Sequence, residues 1–172
     1  MAIIKPKMDF GFPVIEEGVH IFRCVGAELE DKEKGQMLKL TFEVVSDEEY
    51  DESEGLRHFE YFPFWSIKIG EKEAYKGLEK MTGCLVTMGV LKEMEYKSEE
   101  ITKPSFIKEI MDRVLGKEVK MEIYHDIRDS TKVEGAKKTF TKARKYIPYK
   151  RKETTSTPKT KVQVNDDDDY WQ

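Results

Sequence analysis

QMLKLTFEVV, residues 36–45, sets Leu38, Leu40, Phe42 and Val44 in alternation with Lys39, Thr41 and Glu43. A period of two puts the apolar set on one face of an extended chain and the polar set on the other, so the stretch reads as a strand with one face in a core. Upstream, the charged turn DKEKG separates it from GVHIFRCVGAELE, residues 18–30, an apolar and β-branched run introduced by the turn-forming PVIEEG. That run reads as the first strand. Downstream, the acidic stretch SDEEYDESEG reads as a flexible, solvated loop, and LRHFEYFPFW as a third strand. Pro63, which has no N–H for a ladder, marks an edge or a bulge near its end.

The periodicity then changes. Ala74, Leu78, Met81, Leu85 and Met88 fall at spacings of three and four, and PSFIKEIMDRVLG opens on Pro104 and closes on Gly116, as a short helix does. The region from Glu71 to Gly116 is therefore expected to be helical. Alternation returns in KEVKMEIYHDI, with Val119, Met121 and Ile123 against Lys120, Glu122 and Tyr124, and KKTFTKARKYIPYK supplies a last strand. Three strands, a helical region and two strands is the element order of a five-stranded OB-fold-like Greek-key barrel, a mainly β architecture with its helical insertion between strands 3 and 4. The domain is expected over residues 1–149. Residues 150–172 begin KRKETTSTPKTKVQVN, a linker's composition, and are expected to form a disordered tail.

The 172 residues suffice for one domain with a core. No window approaches the roughly 18 apolar residues of a membrane span, and MAIIKPKMDF lacks the apolar region of a signal peptide, so a cytoplasmic protein is expected. Cys24 and Cys84 are isolated from each other and from any CxxC pattern, which fits reduced thiols that pack as small hydrophobes. The net charge of −4 hides a strong asymmetry. Residues 1–129 carry −9, residues 130–161 carry +9 and residues 162–172 carry −4.

In a regular last strand, Lys138, Phe140, Lys142, Arg144 and Tyr146 share one face, with Thr139, Thr141, Ala143, Lys145 and Ile147 on the other. Cations alternating with rings suit an unpaired nucleic-acid strand, whose phosphates attract the cations and whose bases stack on the rings. Strand three adds Phe59, Tyr61, Phe62, Phe64 and Trp65; Tyr61 and Trp65 share a face opposite Phe62 and Phe64 and are the candidates for stacking. Tyr124 stands on the polar side of its strand near Lys120. The candidate contacts are thus Lys120, Lys138, Lys142, Arg144, Lys150 and Arg151 for phosphate, and Tyr61, Trp65, Tyr124, Phe140 and Tyr146 for bases.

Enzyme signatures are weak. His20, His58 and His125 occur singly, without HExxH, GxSxG or GxxxxGK[ST] patterns, and read as surface or hydrogen-bonded histidines. The carboxylates of residues 47–54 could in principle surround a divalent ion, which keeps a metal-dependent nuclease as the alternative, but a flexible loop is a poor place for coordination. No catalytic residue, metal or cofactor is expected. A second alternative is a protein-only adaptor acting through its tail.

FPVIEEGVHIFRCVGAE, GQMLKLTFEVV, LGKEVKMEIYHD and KARKYIP, together with the acidic end VNDDDDYWQ, resemble the small phage-encoded single-stranded-DNA-binding proteins. The resemblance spans nearly the whole chain and implies coating of single-stranded DNA in replication, recombination or repair. The end also looks like the C-terminal tips of bacterial and phage single-strand-binding proteins, an aspartate run followed by an aromatic, which recruit replication and recombination proteins. Carried over, that role falls on Asp166, Asp167, Asp168, Asp169, Tyr170 and Trp171. Here Gln172 follows the aromatics, where the bacterial tip ends on one.

Overall fold

The computed structural model describes residues 2–3, 13–33, 35–65, 71–129, 135 and 137–152, with backbone alone at 64, 65 and 71–76. Residues 153–172 of the expected tail, 150–172, and the side chains of Ala74, Phe64 and Trp65 lie outside the described residues. The elements are β1 (Gly18–Lys32), β2 (Gly35–Val45), β3 (Arg57–Trp65), α1 (Glu71–Thr87), α2 (Ser98–Ile101), α3 (Pro104–Val114), β4 (Glu118–Asp129) and β5 (Lys137–Ile147). The strands form one sheet in the order β3-β2-β1-β4-β5, and every neighbouring pair is antiparallel.

Period-two burial explains the sheet's two faces. Leu38, Leu40, Phe42 and Val44 of β2 are wholly buried, as are Phe22 of β1, Phe62 of β3 and Val119 and Met121 of β4. The α1 residues Leu78, Met81 and Leu85, with Met88 just beyond the helix, close over this face, and Ile110 and Val114 of α3 join them. α1 packs mainly on β3 and also reaches β5. It comes so close to β3 that a Cβ on Gly77 would stand 2.9 Å from the Pro63 carbonyl oxygen, which accounts for a glycine inside a helix that pays for one. At the end of α3 the chain turns through Gly116, φ +82°, whose N–H donates to the Cys24 carbonyl at 2.8 Å and so seats the start of β4 beside β1.

The two outer strands of the sheet meet through side chains. Antiparallel pairing at every step makes β3 and β5 run parallel, and His58 Nδ1 of β3 lies 3.0 Å from Thr141 Oγ1 of β5. Next along the same seam, His58 Nε2 donates to Glu60 Oε2 at 2.9 Å, and the Tyr146 hydroxyl donates to Glu60 Oε1. Lys80 of α1 closes that end, 3.2 Å from Glu60 Oε1. His58 and Glu60 are both buried. Burial pushes the Glu60 carboxyl up, but the hydrogen bonds and charges of His58, Lys80 and Tyr146 together outweigh it and hold the group below its ordinary range.

The expected loop between β2 and β3 is present, and the face expected for Tyr146 is corrected. Residues 46–56 form turns held by their own side chains: Asp51 Oδ1 accepts the Ser53 N–H at 2.8 Å, and Glu54 Oε1 accepts the Ser46 N–H at 3.2 Å. The carboxylates serve as local caps, a common use of Asp in turns. Tyr146 is not on the face expected for it. A bulge sets Glu122 opposite Lys145 but Ile123 opposite Ala143, leaving Arg144 as the extra residue. One inserted residue reverses the alternation, so Tyr146 turns inward to Glu60 and Lys145 takes the outer side. Among the described residues no helix is long and apolar enough to cross a membrane.

Candidate functional site

On the outer face of β4 and β5 the register places Tyr124 beside Lys142, Asp126 beside Phe140 and Arg128 beside Lys138. Phe140 is flanked by two cations, the Lys138 ammonium 5.2 Å and the Arg128 guanidinium 5.4 Å from its ring centre. The Arg144 guanidinium lies 4.8 Å above the Tyr124 ring. These separations are those of cation–π contacts. Both arginines are also paired with carboxylates: Arg144 with Glu122 at 3.2 Å, and Arg128 with Asp126 at 2.7 Å. Lys138, Lys142 and Lys145 make no ion pair among the described residues.

A second cluster stands on the outer face of β2 and β3. Phe59 pairs with Thr41 and Tyr61 with Lys39, and the Lys39 ammonium lies 4.7 Å from the Phe59 ring centre and 6.0 Å from that of Tyr61. Phe59 is 41% and Tyr61 46% exposed, large values for rings of this size on a strand. Phe59, Lys39 and Arg57 were not among the sequence candidates. Phe59 has the parity of Tyr61 and could have been found by that rule; Lys39 joins the cluster through cross-strand pairing, whereas Arg57 pairs with Glu43, 3.6 Å away. The Trp65 backbone continues this strand opposite Gly35, while its side chain is outside the described residues.

The clusters face each other across the seam. Phe59 and Tyr61 from β3 and Phe140 from β5 line one cleft of about 460 Å³, together with Arg57 and the segment Pro13–Ile15, and among the described residues no carboxylate lines it. Two other grooves of comparable size, about 480 and 630 Å³, include Glu16 and Asp51 in one and Asp47 and Glu48 in the other. The first is acidic and repels a polyanion, whereas the second also carries Lys120, Lys150, Arg151 and Lys152 and does not; what sets the seam cleft apart is its exposed rings.

The remaining candidates divide. Lys120 sits below the Tyr149 ring at 5.5 Å, and Lys150 is exposed. Arg151 is committed within the fold: it holds both oxygens of Glu118, at 3.1 and 2.9 Å, and donates to the Ser46 carbonyl at 3.1 Å. Burial raises the Glu118 carboxyl, yet Arg151 and Arg23 together hold it below its ordinary range. Arg151 thus anchors the chain after β5, a role that composition alone could not distinguish from phosphate contact. Asp166, Asp167, Asp168, Asp169, Tyr170 and Trp171 lie outside the described residues.

The three histidines are all hydrogen-bonded: His20 to Asp51 and the Glu16 carbonyl, His58 to Glu60 and Thr141, His125 to the Ile15 carbonyl. Among the described residues no three His, Cys, Asp or Glu side chains converge in a way that could hold a metal ion. Cys24 and Cys84 are buried free thiols, and desolvation pushes both up, Cys24 to about 11. Thiols so protonated are poor nucleophiles. The chain matches no protein-family model and no curated protein sequence.

Proposed function

We propose that this protein binds single-stranded DNA on the outer face formed by β2, β3, β4 and β5, and that its domain is an OB-fold barrel closed along the β3–β5 seam. The observation that carries the reading is the seam cleft: exposed rings from both edge strands, cations around them and, among the described residues, no carboxylate in the lining. Lys39, Lys138 and Lys142 contact phosphate, and Phe59, Tyr61, Phe140 and Tyr124 stack bases, an arrangement that tolerates any sequence. Strand order and meeting edges support the barrel, since an OB-fold presents the face of its second and third strands to oligonucleotides. The resemblance to phage single-stranded-DNA-binding proteins extends the proposal to coating of DNA in replication or recombination. Partner proteins would then be recruited through Asp166 to Trp171.

One titration tests this. A labelled oligonucleotide, single-stranded or paired with its complement, is added across a range of salt, with and without magnesium, to the full chain and to a chain lacking residues 166–172. Preference for the single strand, affinity that falls steeply with salt, and equal or tighter binding by the shortened chain are expected. Absence of binding at low salt would leave the adaptor reading, and magnesium-dependent cleavage the nuclease.

A further inference from the structure

The seam has two unlike halves. Towards α1 it is filled by His58, Glu60, Tyr146 and Lys80. Towards Phe59 and Phe140 it opens into the cleft, with the His58–Thr141 contact and the segment Pro13–Ile15 also in its lining. We propose that this open half is a subsite for one unpaired nucleobase, inserted between the edges of β3 and β5 and held by Phe59, Tyr61 and Phe140. This rests on the single-strand reading above and adds to it where one base goes.

The chemistry of the walls favours a base over other ligands. Three partly exposed rings converge on the cleft, Phe140 being 37% exposed, so an inserted planar ring gains stacking surface that is otherwise wet. Edge strands present backbone N–H and C=O groups without ladder partners, and a base rim offers both donors and acceptors to meet them. Cations stand outside both walls: Lys39 over Phe59, and Lys138 and Arg128 over Phe140. Those are the sides on which the phosphates entering and leaving an inserted nucleotide must lie. At about 460 Å³ the cleft falls within the roughly 300–1,000 Å³ of small-ligand sites. A base within a duplex has its faces stacked and its edge paired, so entry requires an unpaired nucleotide, and the cleft thereby selects single strands by shape.

The test is photocrosslinking of the full-length protein to an oligothymidylate of about 15 nucleotides, near the upper site size of one such domain, with 5-iodouracil at one position. Adducts on Phe59, Tyr61 or Phe140 are expected, with none from the paired duplex. Phe59→Ala combined with Phe140→Ala should weaken binding by about tenfold or more, the loss expected for one stacked base, while Tyr124→Ala changes it less. Binding with adducts confined to Tyr124 or to residues away from the seam would overturn the subsite and leave the single-strand reading standing. No binding by the unaltered protein would overturn both. If the double variant fails to fold, the adducts on the unaltered chain decide alone.

Discussion

The two aromatic clusters beside the seam are built from the same residue types and differ in what surrounds their cations. Over β2 and β3, Lys39 covers Phe59 and Tyr61 without an ion pair among the described residues. Over β4 and β5, Arg144 and Arg128 cover Tyr124 and Phe140 while each is held by a carboxylate, Glu122 or Asp126. A cation already paired with a carboxylate has less charge to offer a phosphate, and a ring already covered by a guanidinium has less face to offer a base. Composition is alike, but availability differs. The β2–β3 cluster and the unpaired lysines of β5 are therefore the ready part of the surface, and the arginine pairs a reserve.

The clusters work together only while the seam holds β3 against β5, so the largest expected effect lies in the interior. Glu60→Ala removes the acceptor shared by His58, Tyr146 and Lys80 and should cost roughly 3–5 kcal/mol of stability in urea unfolding, the range for breaking a buried charged pair. Because the folded state holds the Glu60 carboxyl below its ordinary value of 4.5, the stabilisation is fully present above that value and is lost as pH falls through the lower folded value. The gap between the unaltered chain and Glu60→Ala should thus narrow in acid. A gap that stays constant with pH would mean that the seam depends on packing rather than on the ionised group.

This seam also shows where sequence reading succeeds and fails. Leu38 to Val44 and the helix from Pro104 to Gly116 were legible because burial periodicity and helix punctuation are local signals. His58 reads only as a surface or hydrogen-bonded histidine and Glu60 carries no signal of its own, because their partners Thr141 and Tyr146 lie more than eighty residues away. Tyr146 was assigned to the outer face because nothing in KARKYI announces a bulge at Arg144; the extra residue is defined only against β4. Arg151 read as a spare cation because its partner Glu118 sits 33 residues earlier. Alternation within a strand is visible in one segment, whereas register, bulges and ion pairs belong to two.

A smaller effect separates lysine from arginine within β5. Each phosphate contact on a single strand contributes about 0.7 to the slope of log affinity against log salt. Lys142→Ala should flatten the slope by about that amount. Arg144→Ala should flatten it less, because Glu122 already neutralises much of its charge. Equal changes in the two variants, read by fluorescence anisotropy at several salt concentrations, would show that DNA displaces Glu122 and would erase the distinction between ready and reserve cations.

The smallest effect is also the most direct reading of the carboxylates. Glu122→Gln keeps the size and the strand position of the side chain but removes its charge, so Arg144 loses its ion-pair partner and the surface loses a negative charge 3.2 Å from it. Exposed pairs of this kind are worth about 0.2–1 kcal/mol, which translates to a gain of at most about fivefold in single-strand affinity, with a slightly steeper salt slope. The same change leaves Lys39 and its rings untouched, so affinity gained here comes from the β4–β5 cluster alone. Weaker binding after Glu122→Gln would mean that the carboxylate aims Arg144 at Tyr124 and at the DNA, in which case the pairing is preorganisation and the β4–β5 cluster, not its neighbour, is the ready one.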